Sequence, residues 1–154
     1  MTSEAKDPAA VARRLVEANM YMTLATADES GWPWASPVWF APHGDDGFLW
    51  VSSPETRHSR NIAARADIAI VIFDSTMPVG AAEALYVEAV AEELSGDALE
   101  QAIAAYTQRS EQSGARAWQA ADVLPPARFR LYSATASAQF VLGSGDERLP
   151  VRAA

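Results

Sequence analysis

Residues 20–61 read MYMTLATADESGWPWASPVWFAPHGDDGFLWVSSPETRHSRN, and the punctuation of this stretch decides the fold. Met20, Met22, Leu24 and Thr26 alternate with Tyr21, Thr23 and Ala25, the period of two that belongs to a strand. Asp28-Glu29-Ser30-Gly31 has turn chemistry. Pro33 to Ala41 is a second strand, with Trp34, Ser36, Val38 and Phe40 on one face and Ala35, Pro37 and Trp39 on the other. Pro37 donates no ladder hydrogen bond, so it marks an edge, a bulge or a break in pairing. Residues 42–47 turn again, and Phe48 to Ser52 is a third strand. Two consecutive hairpins predict an antiparallel meander.

Outward from this stretch, Asp7-Pro8 is a helix start, with an acceptor at the cap and proline in the first turn. Val11, Leu15 and Ala18 share the inner face of that helix. Residues 54–66 form a short helix, capped by Ser53 or Thr56, with Ile62 and Ala66 inward. Asp67 to Asp74 is almost continuously apolar and fits a strand covered on both faces. Residues 75–82 read as a loop, and Leu85 to Glu92 alternate as a fifth strand. Ser95 caps a helix with Leu99, Ile103 and Tyr106 inward, ending before Gly114. Phe129 to Ala136 and Ser137 to Leu142 are two strands or one bent one. Residues 1–6 and 143–154 read as loose ends of a single 154-residue domain. Short connections between evenly spaced strands favour a closed or partly closed barrel.

Composition removes several function classes. A net charge of −8 offers no broad positive field for nucleic acid or an acidic membrane. The absence of cysteine excludes thiolate nucleophiles and zinc-cysteine sites, and two histidines make no ordinary zinc set, so no metal is expected. No signal-peptide core or membrane-length apolar run occurs, and the expectation is a soluble cytoplasmic protein. G-x-S-x-G, Walker-type and G-x-G-x-x-G patterns are all missing.

Against this acidic background Arg57, His58 and Arg60 concentrate basic groups at a helix start, where free N–H groups and the helix dipole attract anions. Ser52, Ser53 and Thr56 add hydroxyls, and the arginine fork suits phosphate. The same string also suits a solvated helix with capping hydroxyls. Trp32, Trp34, Trp39 and Trp50 lie on adjacent strands, where aromatics serve a core or an interface more often than a ligand. Around Pro37, unpaired backbone groups of Ser36 to Trp39 could meet the polar edge of a flat heterocycle.

The order of Thr23-Leu24-Ala25-Thr26, the Asp28 to Gly31 turn, Ser36-Pro37-Val38-Trp39-Phe40, Leu49-Trp50-Val51-Ser52 and Thr56-Arg57-His58-Ser59-Arg60-Asn61-Ile62 resembles the pyridoxamine 5'-phosphate oxidase-like family of FMN-binding split barrels. With the elements above, this gives a mostly β (α+β) chain: a six- to seven-stranded antiparallel split β-barrel with about three peripheral helices. The resemblance implies a homodimer with FMN at the subunit interface, acting on a small-molecule substrate as an oxidoreductase. It implies that Ser36, Pro37, Val38 and Trp39 meet the isoalloxazine, and that Val51, Ser52 and Ser53 line the ribityl chain and phosphate. Arg57, His58, Arg60 and Asn61 would hold the phosphate, and Trp118 would cover the other face of the ring. His58 stands where such proteins often carry lysine, which leaves the permanent charge to Arg57 and Arg60. The late strands lack the arginine-rich pattern of a true pyridoxamine phosphate oxidase. The resemblance leaves two alternatives: a reductase using the deazaflavin coenzyme, or a non-enzymatic flavin or haem carrier or sensor.

Overall fold

A computed structural model of the chain describes residues 5–152. Three helices, α1 (Pro8–Ala18), α2 (Arg57–Ala64) and α3 (Gly96–Gln112), accompany eight strands among those residues. The strands are β1 (Tyr21–Ala27), β2 (Pro33–Trp39), β3 (Ala41–His43), β4 (Gly47–Ser52), β5 (Asp67–Phe73), β6 (Ala84–Glu93), β7 (Arg130–Leu142) and β8 (Arg148–Pro150). They form one antiparallel sheet in the order β2-β1-β5-β6-β7-β4-β3, with β8 added to β7.

β2 and β3 lie at the two ends of this order, yet only Phe40 separates them in the chain. The sheet must therefore curl until its ends meet, which makes a half-closed, split barrel. Period-two alternation then sorts the side chains. Phe48 and Trp50 of β4 point into the barrel with Met22, Leu24 and Phe40, while Leu49 and Val51 point out towards α3. Trp50 is fully buried and stacks on Tyr132 at 5.7 Å. Its indole N–H has no partner, at a cost of about 1–3 kcal/mol. A second core forms where Leu99, Ile103 and Tyr106 of α3 meet Leu49 and Leu131.

Several expectations are met. Asp7 caps α1 by accepting from the Ala9 N–H at 3.1 Å, Thr56 caps α2, and Leu99, Ile103 and Tyr106 are buried on α3. Ser95 stands at the cap position of α3 without a capping side-chain bond. The late region is one bent strand. A register shift opposite Glu88 and Ala89 leaves Ser137 between their partners Ala138 and Ala136.

Other expectations are corrected. The chain makes no simple meander, because β2 pairs with β1 alone and β4 pairs with β3 and β7. Pro37 is tolerated because β2 is an edge strand. β5 is covered on one face only: Ile68, Ile70 and Ile72 are buried, each contributing roughly 1.5–3 kcal/mol, while Ala69 and Phe73 are exposed. Ala18 and Ala66, expected to face inward, are both exposed. Residues 143–154 are not a loose tail where described. A turn at Ser144–Asp146 leads into β8, and Leu149 and Val151 pack on the barrel core. Residues 1–4 and 153–154 of the expected loose ends lie outside the described residues, and Lys6 pairs with Glu83 at 3.5 Å.

Candidate functional site

The split in the barrel falls between β2 and the end of β4, and α2 sits across it. α2 is amphipathic with a polar inner face: His58, Ser59, Asn61 and Ile62 are buried, while Arg57 and Arg60 are exposed. Buried polar groups need partners, and those of His58 and Asn61 lie on three different strands. The His58 ring lies between two serines, with Nδ1 at 3.1 Å from Ser36 Oγ on β2 and Nε2 at 2.9 Å from Ser52 Oγ on β4. The Asn61 amide donates to Thr26 Oγ1 on β1 at 3.0 Å. Thr26 Oγ1 in turn donates to the Trp34 carbonyl at 3.4 Å. Thr56 Oγ1 and Ser59 Oγ are 2.8 Å apart, and burial pushes the nearby Tyr132 hydroxyl above its ordinary pKa. Burial alone pushes the His58 imidazole below its ordinary pKa, so the ring is neutral.

Outside this layer Arg57 and Arg60 line a hollow of about 470 Å³ with Asp28, Glu29, Ser30, Asn61 and Ala64. The Arg57 guanidinium lies over the Trp34 ring, 4.3 Å from its centroid. Asp28 is turned back into its own turn. Bonds from the Ser30 hydroxyl and then the Trp32 backbone N–H hold its carboxyl below the usual value, and the Arg57 charge adds a smaller effect. A cation held over an aromatic ring, next to a second arginine at the first turn of a helix, suits a phosphate-sized anion.

Nine of the twelve residues picked from sequence fall into three groups. Ser36, Ser52 and His58 meet in the buried bridge, and Arg57, Arg60 and Asn61 border the hollow. Trp39, Val51 and Trp118 gather elsewhere, around Tyr106 of α3. Tyr106 meets Trp39 edge-on at 5.3 Å and 87°, and Trp118 at 6.0 Å and 76°. Burial pushes the pKa of its hydroxyl up to about 12, with the Val51 backbone opposing the shift. Of the remainder, Val38 is in the barrel core. Pro37 is exposed on the open edge. The Ser53 hydroxyl accepts from Glu55 N–H at 3.2 Å.

Sequence reading missed Trp34 as the seat of Arg57, Thr26 as the partner of Asn61, and Tyr106 as the joint between two tryptophans. Trp34 was within reach, since it shares the β2 face of Ser36. Among the described residues no three His, Asp or Glu side chains gather as a metal-binding set, and no helix is long and apolar enough to cross a membrane.

A sequence model of the pyridoxamine 5'-phosphate oxidase family matches residues 9–138. Among curated proteins none matches the chain in sequence. Solved structures share its fold. A haem-binding protein from Mycobacterium smegmatis aligns with a TM-score of 0.73 at 23% identity, over 92% of this chain and 56% of that one. This chain thus spans little more than half the length of that relative. The haem storage protein HutZ from Vibrio cholerae aligns with a TM-score of 0.65 at 23% identity, over 84% and 90% of the two chains. An F420 reductase aligns with a TM-score of 0.59 at 21% identity, over 82% and 94%. At these identities the likeness is one of fold.

Proposed function

This chain belongs to the pyridoxamine 5'-phosphate oxidase family, and from that premise we propose that it is an FMN-binding oxidoreductase acting on a small molecule as a cytoplasmic homodimer. The observation that carries this reading is Arg57 seated on Trp34 beside Arg60, along the open edge of β2. The donor set suits one phosphate: two arginine forks and the first-turn N–H groups of α2. β2 is bonded on one side only, so its other side can meet the polar edge of a flat ring. Bound FMN would supply hydride or electron transfer. The chain's own part would be to hold the phosphate with Arg57 and Arg60, to align the ring along Ser36 to Trp39, and to keep water from it.

Two observations rank the alternatives. Asp28 and Glu29 stand at the rim of the arginine hollow and oppose the longer acidic tail of a deazaflavin coenzyme. Haem needs an axial ligand, but both His58 ring nitrogens are occupied and His43 lies exposed in the β3 turn. The homodimer draws support from the outer sheet face, where an apolar hollow of about 410 Å³ is lined by Thr23, Ala25, Ala69, Val71, Tyr86 and Phe140.

The test is to purify the chain, record its absorbance, identify any released ligand by mass, and titrate FMN, the deazaflavin coenzyme and haem in competition. Tightest binding of FMN, with turnover of the reduced flavin by an acceptor, is the expected result. A colourless protein that takes up either competitor and refuses FMN overturns the reading. Sizing in solution tests the dimer.

A further inference from the structure

β2 borders the split at one end of the sheet order. It is bonded on one side, to β1, and Pro37 leaves a missing N–H in the row of groups on its open side. Ser36 immediately precedes that gap. Its hydroxyl reaches His58, and the opposite nitrogen of the same ring reaches Ser52, the last residue of β4. β2 and β4 are not neighbours in the sheet; four strands separate them along the hydrogen-bonded path. The imidazole therefore spans the split from one side to the other.

We propose that His58 is the positioning residue of this site, setting the Pro37-interrupted edge of β2 against the end of β4 through Ser36 and Ser52, and touching no phosphate. A neutral imidazole offers one donor and one acceptor on opposite sides of a rigid ring. A serine hydroxyl serves either, so the chain Ser36–His58–Ser52 is satisfied whichever way its hydrogens run. At 7% exposure the ring has little access to a ligand in the outer hollow, and Arg57 and Arg60 are the exposed cations there. Lysine at this place would bring three donors, no acceptor and a charge into a buried seat. Glutamine would bring an acceptor and donors without charge.

The inference rests on the flavin reading only for what the held edge serves, so the test has two separable arms. Nitrogen-15 labelling of histidine in the protein without added cofactor reads the ring itself. A bridging His58 stays neutral as pH falls through 6.5, with one proton shared between its two nitrogens. A ring that takes its second proton at or above pH 6.5 overturns the bridge. FMN titration then ranks variants. His58→Gln is expected to bind within about threefold of the unaltered protein, and His58→Ala and His58→Lys to bind about tenfold or more weakly, a loss of order one hydrogen-bonded contact. Tighter binding by His58→Lys, with His58→Gln as weak as His58→Ala, makes His58 a direct phosphate ligand and overturns the proposal. If His58→Ala does not fold, the order of glutamine and lysine decides. If the unaltered protein takes up no FMN, the flavin reading falls and the nitrogen spectrum alone decides for or against the bridge.

Discussion

The Arg57 guanidinium lies over the Trp34 ring, 4.3 Å from the ring centroid, although the side chain is exposed. Arg57→Ala is expected to weaken FMN binding by about tenfold or more, since a charged hydrogen bond is worth about 1.5–3 kcal/mol. Arg57→Lys should recover only part of this, because an ammonium lacks the planar fork. Trp34→Ala should cost only a few-fold, matching a cation–π contact of about 0.5–1 kcal/mol at an exposed site. Fluorescence titration with FMN measures all three. Unchanged affinity in Arg57→Ala would put the phosphate elsewhere.

The buried imidazole makes stability depend on pH in a stated direction. His58 has a folded pKa below its ordinary value of 6.5, because burial penalises the charged ring. The unfolded chain therefore binds the proton first. Stability from this group is fully present above about pH 6.5 and is lost as pH falls from there through the lower folded value. Urea unfolding across that window should show the decline, and His58→Gln should flatten it. An equal slope in the variant would assign the decline to other groups.

Tyr106 joins Trp39 and Trp118, so its ring matters more than its hydroxyl. Tyr106→Ala is expected to cost about 3–5 kcal/mol, the range for losing a buried large aromatic. Tyr106→Phe keeps the ring and should cost about 1 kcal/mol or less. With the folded pKa pushed up to about 12 from 10.0, the unfolded chain loses the proton first. Stability should fall as pH rises between those values, and Tyr106→Phe should remove that fall. Denaturant midpoints at several alkaline pH values check both statements.

The C-terminal strand is held by packing as well as by pairing. Leu149 is partly buried against the barrel core, and a Cβ at Gly143 would lie 2.9 Å from its side chain. Leu149→Ala should cost about 1–2 kcal/mol, below the range for a fully buried leucine. Gly143→Ala should also destabilise, by forcing Leu149 to shift. Thermal melts of the two variants and their double test whether the effects couple, as direct neighbours must.

Much of this was legible from period alone. Met22, Leu24 and Thr26 against Tyr21, Thr23 and Ala25 already gave β1 its inward face. The jump at Phe40 was invisible, because alternation runs unbroken from Trp34 through Phe40 while the pairing partner changes. β5 misled because its run is apolar on both faces, and the chain covers one. β8 was missed because Arg148-Leu149-Pro150 is too short for a pattern. At the site, the basic cluster was plain but its directions were not. A signal was there: His58 and Ile62 are one helical turn apart, so an inward Ile62 requires an inward His58.

An uncovered strand edge invites any other strand to extend the sheet, and proteins guard such edges with interruptions. Pro37 is an interruption of that kind, since it breaks the row of donors a foreign strand would need in register. A flat small molecule needs only a few polar groups and is not excluded by the gap. One proline thus gives the border a size filter: open to something short, closed to the growing edge of an aggregate.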